Sequence, residues 1–318
     1  MTAITVKHLI SIRKNPALQK EVKMEKKYTK VQVGKIDLDT VTAAWILGVS
    51  RESKVEVLKS GKATEEDLAN PEILCIEVGG SGRVIEGNFD HHDSGIMETA
   101  TLQAWHRAYP TLVGRAEKEE VAEYADDLDS VGVDGLRRIS RKQNKFPTLS
   151  DIFAGMLLSI RESAEQLYLG IEILNRVVVE GIDPFGIMPA KKISEWAAYA
   201  KAKADNNRQI RKAVEKVHFA TTISGKKLAW LETDFFGAPG ACYGVGAKVV
   251  VAFSPHFGPD RVPKFTVAGN DVRVDAVLPE LNAREPGWGG PSTGTILGSP
   301  REGSKLTLAE VVEIVKNL

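Results

Sequence analysis

Asn88-Phe89-Asp90-His91-His92-Asp93-Ser94-Gly95 is the stretch on which the reading of this chain turns. Two adjacent histidines stand between two aspartates, straight after an aromatic residue and ahead of a glycine. Upstream, Ile73-Leu74-Cys75-Ile76-Glu77-Val78 is apolar enough for a buried strand. A second short strand carrying Phe89 would deliver the histidine pair to the end of the same sheet. Open α/β sheets bind their ligands at the carboxyl ends of the strands. Imidazole and carboxylate packed this densely suit Zn, Mn or Fe better than the all-oxygen cage of Ca. A solvated polar turn is the alternative, and it weakens once the other acidic strand ends are counted.

Working outward, Lys30 to Ile36 alternates apolar and polar residues and predicts a first strand. Asp37-Leu38-Asp39 follows, then an apolar helix start over Thr40 to Leu47. Asp39 is a candidate N-cap, whereas Asp37 shares a strand end with it and points the same way. Lys54 to Leu58 predicts a strand, and Thr64-Glu65-Glu66-Asp67 a capped short helix. Gly79-Gly80-Ser81-Gly82 is either a phosphate nest or a plain turn. Helices are expected over Met97 to Tyr109 and Glu117 to Asp129, the second placing Asp126 and Asp129 on one face. Leu149 to Glu180 is helical with a core stripe through Ile152, Met156, Ile160, Leu167, Ile171 and Leu174. Two prolines and two glycines over Gly181 to Pro189 break it.

Ile193 to Val217 is a charged helix that looks like a connector. Beyond it the chain turns to strands (Lys227 to Leu231, Lys248 to Phe253, Lys264 to Val267), a helix near Asp275 to Asn282 and a closing capped helix from Thr307. Between these helices lies Gly287-Trp288-Gly289-Gly290-Pro291-Ser292-Thr293-Gly294-Thr295, running to Gly298-Ser299-Pro300-Arg301. Glycines with hydroxyls and an arginine let backbone N–H groups and a guanidinium approach an anion; a structural loop is the alternative.

The 318 residues fit two domains, and 43% apolar with 26% charged content is ordinary for a globular protein. Lys plus Arg (42) balances Asp plus Glu (42), so no global field holds long nucleic acid. Cys75 and Cys242 are the two cysteines, which is no disulfide framework and points to a reducing compartment. No apolar run is long enough to span a bilayer, and the lysine-rich N-terminus lacks a signal-peptide core. A cytoplasmic protein is expected.

Asp37-x-Asp39, Glu77, Asp90-His91-His92 and Asp126, followed by a glycine-rich tract, come in an order that resembles the DHH phosphoesterase superfamily. The resemblance runs from about Val31 to Arg301. It implies an N-terminal, mainly parallel α/β domain flanked by helices over 30–190, after an extension over 1–29. A connector helix over 191–217 and a smaller α/β domain over 218–318 would follow, the latter similar to the accessory substrate-binding domain with a Gly-Gly-Gly-His hallmark.

By the same resemblance Asp37, Asp39, Glu77, His91 and Asp126 would be metal ligands, with Asp127 and Asp129 left open as alternatives to Asp126. His92 would face the phosphate and Asp90 would orient a histidine. Gly289, Gly290, Ser292, Thr293 and Arg301 would hold the substrate. Mn2+ or Mg2+, one or two per chain, would lower the pKa of a water toward neutrality, and His92 would protonate the leaving oxygen.

Three departures stand out. No histidine stands shortly before Asp37, where Val33, Gly34 and Lys35 are found; Glu77 replaces an aspartate; and Gly-Gly-Pro-Ser-Thr stands where the accessory histidine belongs. Lys35 could fill the vacated space and put an ammonium where a cation sits. The expected activity is hydrolysis of a phosphodiester or phosphoanhydride in a small nucleotide, short oligonucleotide or polyphosphate, with a homodimer possible and no long nucleic acid or membrane as partner. A nucleotide or phosphate sensor that has lost turnover and a mononuclear zinc hydrolase are the rivals.

Overall fold

The computed structural model describes residues 28–58, 61–92, 98–109, 116–140, 145–258, 260–290 and 293–318. Nearly all of the expected extension, and Asp93, Ser94, Gly95, Pro291 and Ser292, lie outside these residues.

The first sheet joins β1 (Lys30–Val33), β2 (Lys54–Val57), β3 (Ile73–Ile76) and β4 (Asn88–Phe89) in the order β2-β1-β3-β4, all parallel. Successive side chains of a strand face opposite sides of the sheet. In β3, Leu74 and Ile76 enter a large core, while Ile73 and Cys75 meet a small cluster with Leu68. Leu68 belongs to the short helix α2 (Glu65–Ala69), whose N-cap Thr64 accepts the Asp67 N–H. Asp67 itself accepts from Gln32 Nε2 at 2.8 Å.

The large core is filled from α1 (Leu38–Ile46), α3 (Ala100–Ala108), α4 (Ala116–Ile139), α5 (Leu149–Ser159) and α6 (Ser163–Val179). α4 carries a non-helical break at Gly132. The helical region expected over Leu149 to Glu180 is two helices, the second capped by Glu162 through the N–H groups of Ala164 and Glu165.

The second sheet has the order β5 (His218–Thr221), β6 (Lys227–Glu232), β7 (Val249–Phe257), β8 (Val262–Gly269), β9 (Ile296–Gly298). β6 and β7 run parallel and the other neighbours antiparallel. Leu228, Val249 and Val267 face one cluster with Leu281, of α9 (Leu278–Arg284), and Val311, of α10 (Leu308–Val315). Ala229, Leu231 and Val250 face another with Cys242, of α8 (Ala238–Gly244). The long helix α7 (Ser194–Val214) serves both halves: Trp196 and Ala200 sit in the first sheet's core, Ile210 and Val214 in the second's.

β5, α8 and β9 have no counterpart in the sequence reading; each is short, and β5 is largely exposed. Among the described residues no helix is long and apolar enough to cross a membrane.

Candidate metal centre

The backbone at the carboxyl ends of β1 and β3 is what gathers the acidic groups. β3 stops at Ile76 because Glu77 turns to φ 54°, a left-handed conformation that a non-glycine residue adopts at a cost of about 1–3 kcal/mol. Opposite it, a Cβ on Gly34 would lie 2.4 Å from the Glu77 carbonyl oxygen. Glycine is therefore required at position 34, and its close approach carries Lys35 over the Glu77 side chain.

Asp37 and Asp39 do not share a strand end, since β1 closes at Val33. The N-cap is Asp37, not Asp39: its Oδ1 accepts the Thr40 N–H at 3.0 Å. Asp39, buried in the first turn of α1, accepts the N–H groups of Ala100 (3.0 Å) and Thr101 (2.8 Å). Two orphan donors at the start of α3 are thereby satisfied from another helix.

His91 is the hub. Its Nε2 lies 3.3 Å from Glu77 Oε1 and 3.6 Å from Asp129 Oδ2. Two groups of donor atoms each fall within 4.8 Å of one another: Glu77, His91 and His92, and Asp39, His91 and Asp129. Metal–donor bonds of about 2.0–2.2 Å put donors roughly 3–4 Å apart, so these spacings suit a divalent ion, and the nitrogen–oxygen donor set suits Mn, Fe or Zn. The helix face brings Asp129 to His91. Asp126 instead accepts the Thr99 hydroxyl at 2.8 Å, and neither group of donors includes Asp127.

Asp90 orients the second histidine: Oδ1 accepts from His92 N at 2.8 Å and faces His92 Nδ1 at 3.0 Å. Its other oxygen takes the Gly79 N–H, so that N–H of the glycine-rich turn caps a carboxylate of the protein itself. With Nδ1 engaged, Nε2 is the nitrogen His92 has left for chemistry.

Charge in the cluster is unevenly held. Burial pushes Asp39 up to about 7, with the Glu77, Asp37 and Asp129 carboxylates adding to the effect. Burial and Glu77 also raise Asp37. Burial works against Glu77 as well, but the His91 hydrogen bond and the Lys35 and His92 charges outweigh it and leave that carboxyl below its usual range. Asp90 is buried, yet the His92 ring and the N–H groups of His92 and Gly79 bring it down to about 2. The Glu77 hydrogen bond raises His91, and the Asp90 hydrogen bond raises His92. Lys35 reaches Asp37 Oδ2 at 2.7 Å and Glu77 Oε2 at 3.5 Å, and these charges overcome desolvation to raise its ammonium.

In the second half, Gly289 and Gly298 exchange backbone hydrogen bonds of 3.1 and 2.7 Å, so the Gly289 N–H is committed to the sheet. A Cβ on Gly290 would lie 2.0 Å from the Ile296 carbonyl oxygen, and the Thr293 and Thr295 hydroxyls pair at 3.2 Å. Chain packing thus accounts for much of this tract, and Ser292 is outside the described residues. Arg301 crosses to the first half, where Nη1 donates to the Leu58 carbonyl at 3.1 Å just beyond β2. A further acid–imidazole pair lies in the second half, where Asp234 accepts from Ser254 Oγ (2.8 Å) and His256 N (2.9 Å) and faces His256 Nδ1 at 2.9 Å. The separation of Asp234 from His256 in sequence left no motif by which to find that pair.

No family model matches the chain, and no curated protein matches it in sequence. Among solved structures, the chain is similar to a "pGpG-specific phosphodiesterase", PggH from "Vibrio cholrae", at 15% identity and a TM-score of 0.49 over 92% of this chain and 96% of that one. It is also similar to the DHH domain of a "Member of s1p family of ribosomal proteins", at 13% identity and a TM-score of 0.41 over 91% and 86%. The chain's own residues carry the further reading: an all-parallel sheet with helices, and acid–imidazole groups gathered beyond its carboxyl edge.

Proposed function

We propose that this protein is a divalent-metal-dependent phosphoesterase of the DHH type, hydrolysing a phosphodiester or phosphoanhydride bond in a small nucleotide, short oligonucleotide or polyphosphate. The observation that carries the reading is His91 Nε2, which faces Glu77 Oε1 and Asp129 Oδ2 at once and shares a 4.8 Å donor group with Asp39. Asp39, His91 and Asp129 would hold the ion, with Glu77 alongside. Mn2+ suits this mixed oxygen and nitrogen set. The ion, when bound, supplies Lewis-acid activation of water and of the phosphoryl oxygen.

The chain's own groups do the rest. Asp90 fixes the His92 tautomer with Nδ1–H toward the carboxylate, and His92 Nε2 in its protonated form donates to the leaving oxygen. A placed general acid contributes roughly 10²–10⁴-fold. Arg301, at the carboxyl end of β2, brings a guanidinium from the second half to the edge where a distal phosphate would rest.

The test is a Mn2+-supplemented assay on an aryl phosphodiester, pyrophosphate, and short nucleotides including pGpG. Turnover that disappears in both His91→Ala and Asp129→Ala is expected. Lys35, set among the carboxylates, favours a second reading, a nucleotide or phosphate sensor without turnover. Nucleotide binding that survives chelation, with no hydrolysis under any metal, would select it.

A further inference from the structure

We infer that the Lys35 ammonium occupies one of two cation positions in this centre, so that the chain takes a single divalent ion and is closed to a second. The inference rests on the metal-centre reading above and gives the site its nuclearity.

Glu77 is engaged on two sides. Oε1 faces the imidazoles, 3.3 Å from His91 Nε2 and 3.8 Å from His92 Nδ1. Oε2 faces away from them, accepting the Thr40 hydroxyl at 3.1 Å and lying 3.5 Å from Lys35 Nζ. With an ion held on the imidazole side, Glu77 would lie between two positive charges, and the second of them, Lys35, is built into the chain.

Asp37 completes the ammonium's pocket. Its Oδ2 is 2.7 Å from Lys35 Nζ and its Oδ1 is held by the Thr40 N–H. Neither group of donor atoms in the centre includes Asp37. A divalent ion at Asp37 would have to compete with the Lys35 ammonium for its Oδ2. The 2.7 Å contact is the length of a charge-assisted hydrogen bond, longer than a metal–oxygen bond of about 2.0–2.2 Å.

The backbone enforces the arrangement. Gly34 N donates to the Ile76 carbonyl at 3.3 Å, and the missing Cβ at position 34 lets the chain pass against Glu77. Lys35 thus emerges over the side chain it neutralises. An ammonium balances charge but lacks a metal's empty orbital, so the acid cluster is kept together on this side without a second Lewis acid. Both donor groups that are left draw on His91, and a single ion among them is the one left to do chemistry.

The experiment counts ions on the full chain by equilibrium dialysis against MnCl2 with elemental analysis, for the wild type, Lys35→His and Lys35→Ala. Circular dichroism checks that each variant is folded. One Mn2+ in the wild type and two in Lys35→His are expected, with Lys35→Ala binding more Mn2+ than the wild type at high concentration. Two ions in the wild type, or the same ion count in folded wild type and both variants, would overturn the inference. Hydrolysis is measured separately. A gain of one ion in Lys35→His with no turnover on any nucleotide keeps the inference and removes the phosphoesterase reading; turnover with two wild-type ions does the reverse.

Discussion

The carboxylate of Asp39, in the first turn of α1, accepts the backbone N–H of Thr101 at 2.8 Å, in the first turn of α3. With the bond to Ala100 this makes Asp39 a structural clamp as well as a candidate ligand. Leaving a buried donor unpaired costs about 1–3 kcal/mol. Asp39→Ala should therefore lower stability by about 2–3 kcal/mol near pH 4 even in the presence of a chelator, a gap that shrinks toward neutral pH because burial raises the Asp39 carboxyl to about 7. Chemical denaturation of the metal-free protein tests it, and an unchanged midpoint would count against the clamp.

Asp126 and Asp129 separate two roles that lie three residues apart. Asp129→Ala should weaken Mn2+ binding at least tenfold, because its oxygen faces His91 Nε2 at 3.6 Å. Asp126→Ala should leave Mn2+ affinity within about twofold and cost about 1 kcal/mol of stability through the lost Thr99 hydrogen bond. Calorimetric titration of both variants gives the answer, and a reversed order of affinities would move the ligand to Asp126.

Acid should reveal Asp90. Its folded pKa of about 2 lies below the ordinary carboxylate value of about 3.9. A depressed carboxylate contributes stability that is present above the unfolded value and lost as pH falls through the folded one. Asp90→Asn should then be less stable than the wild type by on the order of 2 kcal/mol at pH 6–7. The gap should shrink as pH drops from about 4 toward 2. Thermal unfolding across that range is the measurement; a gap independent of pH would mean that lost packing, not charge, destabilises the variant.

Gly34→Ala should be among the most damaging small substitutions in the first half. The added methyl would meet the Glu77 carbonyl oxygen at 2.4 Å, and overpacking of this kind typically costs about 1–3 kcal/mol. Because the shift falls on the Lys35–Glu77 pair, Mn2+ affinity should drop together with stability. Loss of stability with unaltered metal binding would show that the turn can relax away from the site.

The sequence carried the fold well where local chemistry and tertiary structure agree. Ile73–Ile76 reads as a buried strand because both faces of a parallel sheet are covered, and Thr307 reads as a cap because its capping box with Glu310 closes as expected. The histidine pair and Glu77 were legible for the same reason, being fixed by the ends of adjacent strands. What was hidden depended on distance in the chain. Nothing local says that Asp39 is used by a helix some sixty residues on, or that Asp129 and not Asp126 turns toward His91. Likewise, the glycines at 289 and 290 look like an anion cradle in sequence, and their need to pair with β9 and its end becomes visible only in the sheet.

α7 has one further consequence. Trp196 and Ala200 complete one core while Ile210 and Val214 complete the other, and no break in hydrogen bonding separates them. Melting either end would strip residues from the core at that end and propagate along the helix toward the other. The two sheets should thus lose their structure in one calorimetric transition rather than two, and a cut within Ser194–Val214 should leave neither fragment able to hold its half together.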